Sequence, residues 1–213
     1  NIGAYGTEVK QTIEEVSYWH LSEHKLVTLS NADCHFGYRD SIFKTQLRGQ
    51  FFITSVSFRL NKKPVLNTSY GAIEQELKDM GVTHPTVKDV AEAVIRIRTS
   101  KLPDPKVTGN AGSFFKNPTI PLAHYKLLQA AYPNIPHFPV SDDTVKVPAA
   151  WLIEQCGWKG HRTGDAGVHT KQALVLVNYG NASGKEIWQL SGDIIDSVAN
   201  RFNISLEREV QVW

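Results

Sequence analysis

The chain is poor in sulfur. Among 213 residues there are two cysteines, Cys34 and Cys156, and one methionine, Met80. Cysteines so far apart make neither a metal-ligand spacing nor a disulfide framework, so free thiols in a reducing compartment are expected. Charge of one sign is lacking too. Lys and Arg number 23 against 21 Asp and Glu, a net +2, which leaves no broad field for a nucleic-acid backbone and makes any anion site a local one. No apolar run approaches the roughly 18 residues of a membrane span, and no leader of the secretory kind opens the chain. The eight histidines are scattered without H-E-x-x-H or a comparable spacing, so metal catalysis has no support. Internal repeats and low-complexity tracts are absent.

What is present is ordinary globular composition, enough for one large domain or two cores of about 100 residues each. The chain begins in a glycine-rich turn, Asn1-Ile2-Gly3-Ala4-Tyr5-Gly6, and its single methionine lies far inside. It therefore reads as a fragment or a processed product of something longer.

The first stretch reads as β-rich. Thr12–Leu21 carries β-branched and aromatic residues, Ser22-Glu23-His24-Lys25 breaks it, and Leu26–Leu29 resumes, a hairpin pattern. Phe51–Leu60 is a third strand candidate, apolar on alternate positions at Phe52, Thr54, Val56 and Phe58, and Asn31–Lys44 reads as a loop. Ala72–Met80 is a short helix closed by Gly81, and Thr86 caps another whose Val87, Val90, Val94 and Ile97 recur at helical spacing. Pro103, Pro105, Gly109 and Gly112 form a rigid connection at a domain boundary. Beyond it, helices are expected at Leu122–Ala131, after Pro148, and over Ser183–Phe202, with strands at Ala173–Asn178 and Leu206–Val212.

Four clusters could carry chemistry, and each has a plainer explanation. Gly109–Pro118 (GNAGSFFKNP) offers backbone amides at two glycines beside the Ser113 hydroxyl, with Lys116 and Asn117 following; a domain-joining turn is equally plausible. Phe36–Ser41 sets Arg39 among aromatics, suited to bidentate capture of a carboxylate or phosphate, although an Arg39–Asp40 surface pair is the commoner outcome. Arg98 and Lys101 lie one turn apart at a helix end, where cations are favoured in any case. Glu207 and Glu209 share one face of the last strand candidate, with Arg208 opposite, and a solvated edge strand explains them as well.

Taken in order, Asn1–Gly6, Phe36–Ser41, Lys101–Lys106 (KLPDPK), Gly109–Pro118 and Leu206–Val210 resemble the UDP-N-acetylenolpyruvoylglucosamine reductase (MurB) family from the first residue almost to the last. Tyr70-Gly71 resembles the type of that family that sets a loop tyrosine over bound substrate. The resemblance implies a bacterial cytoplasmic enzyme of peptidoglycan synthesis. In it NADPH reduces FAD, and the flavin passes hydride to the enolpyruvyl ether of UDP-N-acetylglucosamine to give UDP-N-acetylmuramate.

Carried over by residue, the resemblance implies that Ser113 is the general acid and that Arg39 and Glu209 polarise the substrate carboxylate. Tyr70, Lys101 and Asn117 would hold the diphosphate, Gln172 would make a further substrate contact, and Ile2, Gly3 and Gly6 would lie near the flavin ring. Arg98 is carried over only weakly. A monomer without metal, nucleic-acid or membrane partner is expected. The family's first domain, which cradles the FAD pyrophosphate, has no counterpart in these residues, so flavin retention and turnover by this chain alone are not implied.

The expected fold is α+β. Residues 1–100 would be the remainder of a two-part FAD-binding module, 101–205 an α/β substrate-binding domain, and 206–213 a returning strand that carries Glu209. A UDP-sugar-binding fragment without turnover is the first rival. A flavin oxidase of related cofactor fold is the second, set back because such enzymes lack the GNAGSFFKNP loop. Nothing recommends a purely structural role.

Overall fold

The structure, a computed structural model, describes residues 1–211. The chain divides into two compact units, Asn1–Ile97 and Arg98–Trp213. Helices and antiparallel sheets are mixed throughout, an α+β fold.

Unit 1 opens on a tight ribbon of β1 (Gly3–Ala4) and β2 (Thr7–Glu8). Its turn, Tyr5-Gly6, takes φ of 53° and 74°, a region glycine enters freely and tyrosine does not. The expected hairpin follows as β3 (Ile13–His20) and β4 (Lys25–Ser30), and β5 (Phe51–Phe58) pairs on the far side of β3. Val16 and Tyr18 of β3 are buried with Cys34 and Phe43.

The expected alternation along β5 does not survive. The ladder slips between Ser17 and Tyr18, so Phe52 pairs with Trp19 while Val56 pairs with Val16. Trp19 and Val16 point to opposite faces of β3. The bulge therefore divides a stripe that looks continuous in sequence, and Phe52 and Phe58 stay exposed. Helices α1 (Gly71–Asp79) and α2 (Val87–Lys101) pack through Ile73, Leu77, Ala93 and Ile97. Thr86 caps α2, its Oγ1 accepting from Asp89 N at 3.3 Å.

Unit 2 contains β6 (Gly109–Ser113), β7 (Thr119–Pro121), α3 (Leu122–Ala131), β8 (Phe138–Pro139) and β9 (Thr144–Lys146). After these come α4 (Ala149–Gln155), β10 (Arg162–Thr163), β11 (Ala166–Val168), β12 (Val175–Asn178) and α5 (Gly184–Phe202). One sheet runs β10-β11-β12-β6 and another β7-β9-β8. Leu190, Ile194, Val198 and Phe202, spaced by four along α5, are buried in one cluster with Leu152, Ile153, Val168 and Leu176. Burying each such side chain is worth about 1.5–3 kcal/mol. Ser183 caps α5 in a reciprocal box with Glu186, and Asn203 closes it at φ 53°.

Two expectations are corrected here. Gly109–Gly112 is not a connecting turn but part of strand β6. Without β-branched residues it has little strand propensity of its own, and pairing to the buried β12 supplies what it lacks. Among the described residues, the tail expected as a strand makes a single bridge, Arg208 to Phe115. Its partner segment offers three residues between β6 and Asn117-Pro118, and proline has no N–H with which to extend a ladder. Val212 and Trp213 lie outside the described residues. Among the described residues no helix is long and apolar enough to cross a membrane.

Candidate functional site

In unit 2, β6 delivers Ser113. Asn110 organises the strand's entry, its Nδ2 donating to Thr108 O at 2.9 Å and Pro103 O at 3.2 Å while its Oδ1 accepts from Gly112 N at 3.0 Å. Gly112 sits at φ 73° where the ladder with β12 is irregular. Beyond it Phe114 and Phe115 enter the core and Ser113 stays exposed, opposite Val175. Among the described residues the Ser113 hydroxyl makes no hydrogen bond, so a ligand or solvent is its natural partner.

The tail runs alongside the same segment. Glu209 N donates to Phe114 O at 2.8 Å, and Lys116 N to Glu207 O at 2.9 Å. Between them Arg208 anchors to α5, its guanidinium 3.7 Å over the Trp188 ring and its Nε donating to Ser191 Oγ at 2.7 Å. Glu207 forms an ion pair with Lys116. The three charges of the run are thus sorted, and Glu209 is the one whose backbone pairs next to Ser113. Lys116, committed to Glu207, is a structural cation.

Asn117 already has a role in folding. Its Oδ1 accepts from Ala149 N at 2.9 Å, capping α4, where Pro148 has no capping side chain to offer. The amide N–H groups and the second lone pair of Oδ1 remain for a ligand.

A cavity of about 550 Å³ lies against the end of α2, lined among others by Arg98, Lys101, Asp104, His169 and Lys171. Gln172 follows directly, its Oε1 accepting from Leu174 N at 3.4 Å. Burial first, and the Lys171 charge second, hold the His169 imidazole below its ordinary pKa.

Unit 1 gathers its own candidates around the opening turn. Arg39, at φ 54°, donates from Nη2 to Gly3 O and lies 5.3 Å from the Tyr38 ring centre. Lys44 Nζ holds the Arg39 carbonyl at 3.1 Å, and Asp40 Oδ1 accepts from Ser41 N at 2.8 Å. Asn67 Nδ2 donates to Gly6 O at 3.3 Å. Tyr70, the N-cap of α1, sets its ring edge-on to Tyr5 at 5.4 Å. Ile2 is 77% exposed, and its carbonyl accepts from Val9 N.

The family model described as "UDP-N-acetylenolpyruvoylglucosamine reductase, C-terminal domain" matches residues 104–213, more than half of the chain. The chain belongs to this family. A UDP-N-acetylenolpyruvoylglucosamine reductase of Flavobacterium johnsoniae is 51% identical over 213 residues, all of this chain and 63% of the relative. One of Chromobacterium violaceum is 50% identical over 210 residues, 98% of this chain and 62% of the relative. The chain thus spans less than two thirds of these relatives' length. The crystal structure of MurB from Thermus caldophilus superposes with a TM-score of 0.60 over 100% of this chain and 57% of that one. At 24% identity that is a likeness of fold.

The MurB family implies FAD, and these residues do not form a cradle for it by themselves. A Cβ on Gly3 would meet Arg39 Nη1 at 2.9 Å and Glu8 Cγ at 3.0 Å, and one on Gly6 would meet Asn67 Nδ2 at 3.2 Å. The space both glycines leave is taken by the chain's own side chains. Ile2 is an exposed apolar surface suited to a ring, but Ile2, Gly3 and Gly6 offer no charge to a pyrophosphate.

Sequence reasoning missed His169 and Lys171, although both stand within three residues of Gln172. Asn67 and Tyr5 were missed as well, because their partners lie in distant parts of unit 1.

Proposed function

We propose that this chain is the substrate-binding and proton-transfer part of a UDP-N-acetylenolpyruvoylglucosamine reductase. The single observation behind this reading is the pairing of Glu209 N with Phe114 O, which brings the backbone of the Glu209 segment alongside the residue that follows the exposed Ser113. Reduction of the enolpyruvyl double bond adds a hydride at one carbon and a proton at the other. FAD and NADPH supply the hydride in the family, and the residues of this chain handle the proton and the charge. Negative charge develops on the substrate carboxylate as hydride arrives, and Arg39 and Glu209 are the groups proposed to polarise it. Ser113 then donates its proton to carbon, and solvent restores it.

Lys101, Tyr70, Asn117 and Gln172 are proposed to anchor the UDP portion, Asn117 through its amide N–H groups. Such remote contacts contribute mainly uniform binding. A second reading, a UDP-sugar-binding chain with no turnover by itself, is favoured by the glycines whose space is already filled.

The test grafts these residues into the matching stretch of the Flavobacterium johnsoniae relative and compares the graft with its Ser113→Ala variant. Flavin reduction by NADPH should persist, while turnover of the enolpyruvyl substrate falls about 10²–10⁴-fold. Turnover within a few-fold of the parent would remove Ser113 from the reaction.

A further inference from the structure

We propose that Lys171 is a second cation of the anion site that Lys101 begins, with the His169 imidazole completing it. The inference deepens the reading above and rests on it.

Placement is the first argument. Lys171 and His169 line the same cavity as Lys101 and Arg98, at about 550 Å³ large enough for the phosphate-bearing part of a nucleotide. The balance of charge is the second. Three cations face that space with one carboxylate, Asp104, and its Oδ1 already accepts from Lys106 N at 2.9 Å within its own turn. The cavity therefore favours an anion.

His169 Nδ1 is buried and finds no hydrogen-bond partner among the described residues, which is uncommon in native folds. The residue is held to the sheet by its backbone N, which donates to Val175 O at 2.9 Å. With its pKa lowered by burial and by Lys171, the ring is neutral near pH 7. It then carries one N–H and one lone pair rather than a further charge.

A plainer role for Lys171 must be separated from this one. Its Nζ donates to Ser100 O at 3.2 Å, and a lysine there complements the end of α2. That bond occupies one of three ammonium N–H groups and leaves two for a ligand. It also fixes a flexible side chain at the cavity wall, which lowers the ordering cost of binding.

The experiment is calorimetric titration of the 213-residue chain with UDP and, separately, with uridine, which lacks the diphosphate. UDP should bind more tightly, and added salt should narrow the difference. Lys171→Ala should weaken UDP about two- to fivefold, the scale of a partly solvated charge pair, and leave uridine unchanged. Lys171→Gln, which keeps a donor for Ser100 O but no charge, should lose as much as Lys171→Ala, and Lys171→Arg should recover most of the loss.

Unchanged UDP affinity in Lys171→Ala and Lys171→Gln, beside a loss in Lys101→Ala, would overturn the proposal and leave the wider reading standing. In that case Lys171→Ala would lower the melting temperature without moving the UDP-to-uridine ratio. If the parent chain does not prefer UDP to uridine, the substrate-anchor reading and the proposal fall together.

Discussion

Among the described residues, unit 2 buries one continuous cluster of twenty hydrophobic residues, whereas unit 1 divides its core into two clusters of four. The surfaces differ in the same sense. On β5, Phe52 and Phe58 remain 67% and 50% exposed, while β12 in unit 2 is buried along Val175, Leu176 and Val177. Marginal stability is a small difference between large terms, and the apolar area removed from water is the largest favourable one. The contrast therefore places most of the chain's folding free energy in unit 2, around the frame that holds Ser113, Asn117 and Glu209. Unit 1 keeps Arg39 and Tyr70 on a smaller, more open scaffold.

The strongest test deletes volume on each side. Ile194→Ala in unit 2 should cost about 2–5 kcal/mol in urea unfolding, and Leu77→Ala in unit 1 should fall at the low end of that range, because a small cluster collapses more easily around a cavity. Equal losses would break the comparison. Next comes the cap of α5. Ser183→Ala removes the acceptor for Glu186 N and should cost about 1 kcal/mol, read as a lower melting temperature for unit 2 with unit 1 unmoved.

A smaller effect depends on pH. The folded-state pKa of His169 is lowered from 6.5, so the unfolded chain takes up this proton first as pH falls. Stability from the neutral ring is complete above about pH 6.5 and is lost as pH drops toward the folded value. Unit 2 should weaken over that acid range, and His169→Gln should flatten the profile; an unchanged slope would deny His169 the effect. The smallest change expected is Phe52→Thr, within about 0.5 kcal/mol, measured by the urea midpoint. A larger loss would mean that this face of unit 1 carries more of the fold than its exposure indicates.

Much of the helical structure was readable beforehand. The helix expected over Ser183–Phe202 is α5, and Leu122–Ala131 is α3 to the residue. Strands were harder to read. β6 has too little propensity to declare itself, and the slip in β5 leaves no mark in its alternation, since both depend on the strand they pair with. The candidate positions Ser113, Lys101 and Glu209 were named through their motifs, while Lys171 and His169 sit in no motif and became visible only as walls of a cavity.

The sequence by itself determined the family, the positions of the longer helices and the list of groups able to do chemistry. Helix periodicity, capping residues and short motifs are properties of neighbouring residues, so they can be read without a fold. Tertiary structure decided which of those groups are free to act. Asn117 engages its oxygen with Ala149, 32 positions away, and Lys116 its charge with Glu207, 91 positions away. A side chain's availability depends on partners that only folding brings within hydrogen-bonding distance.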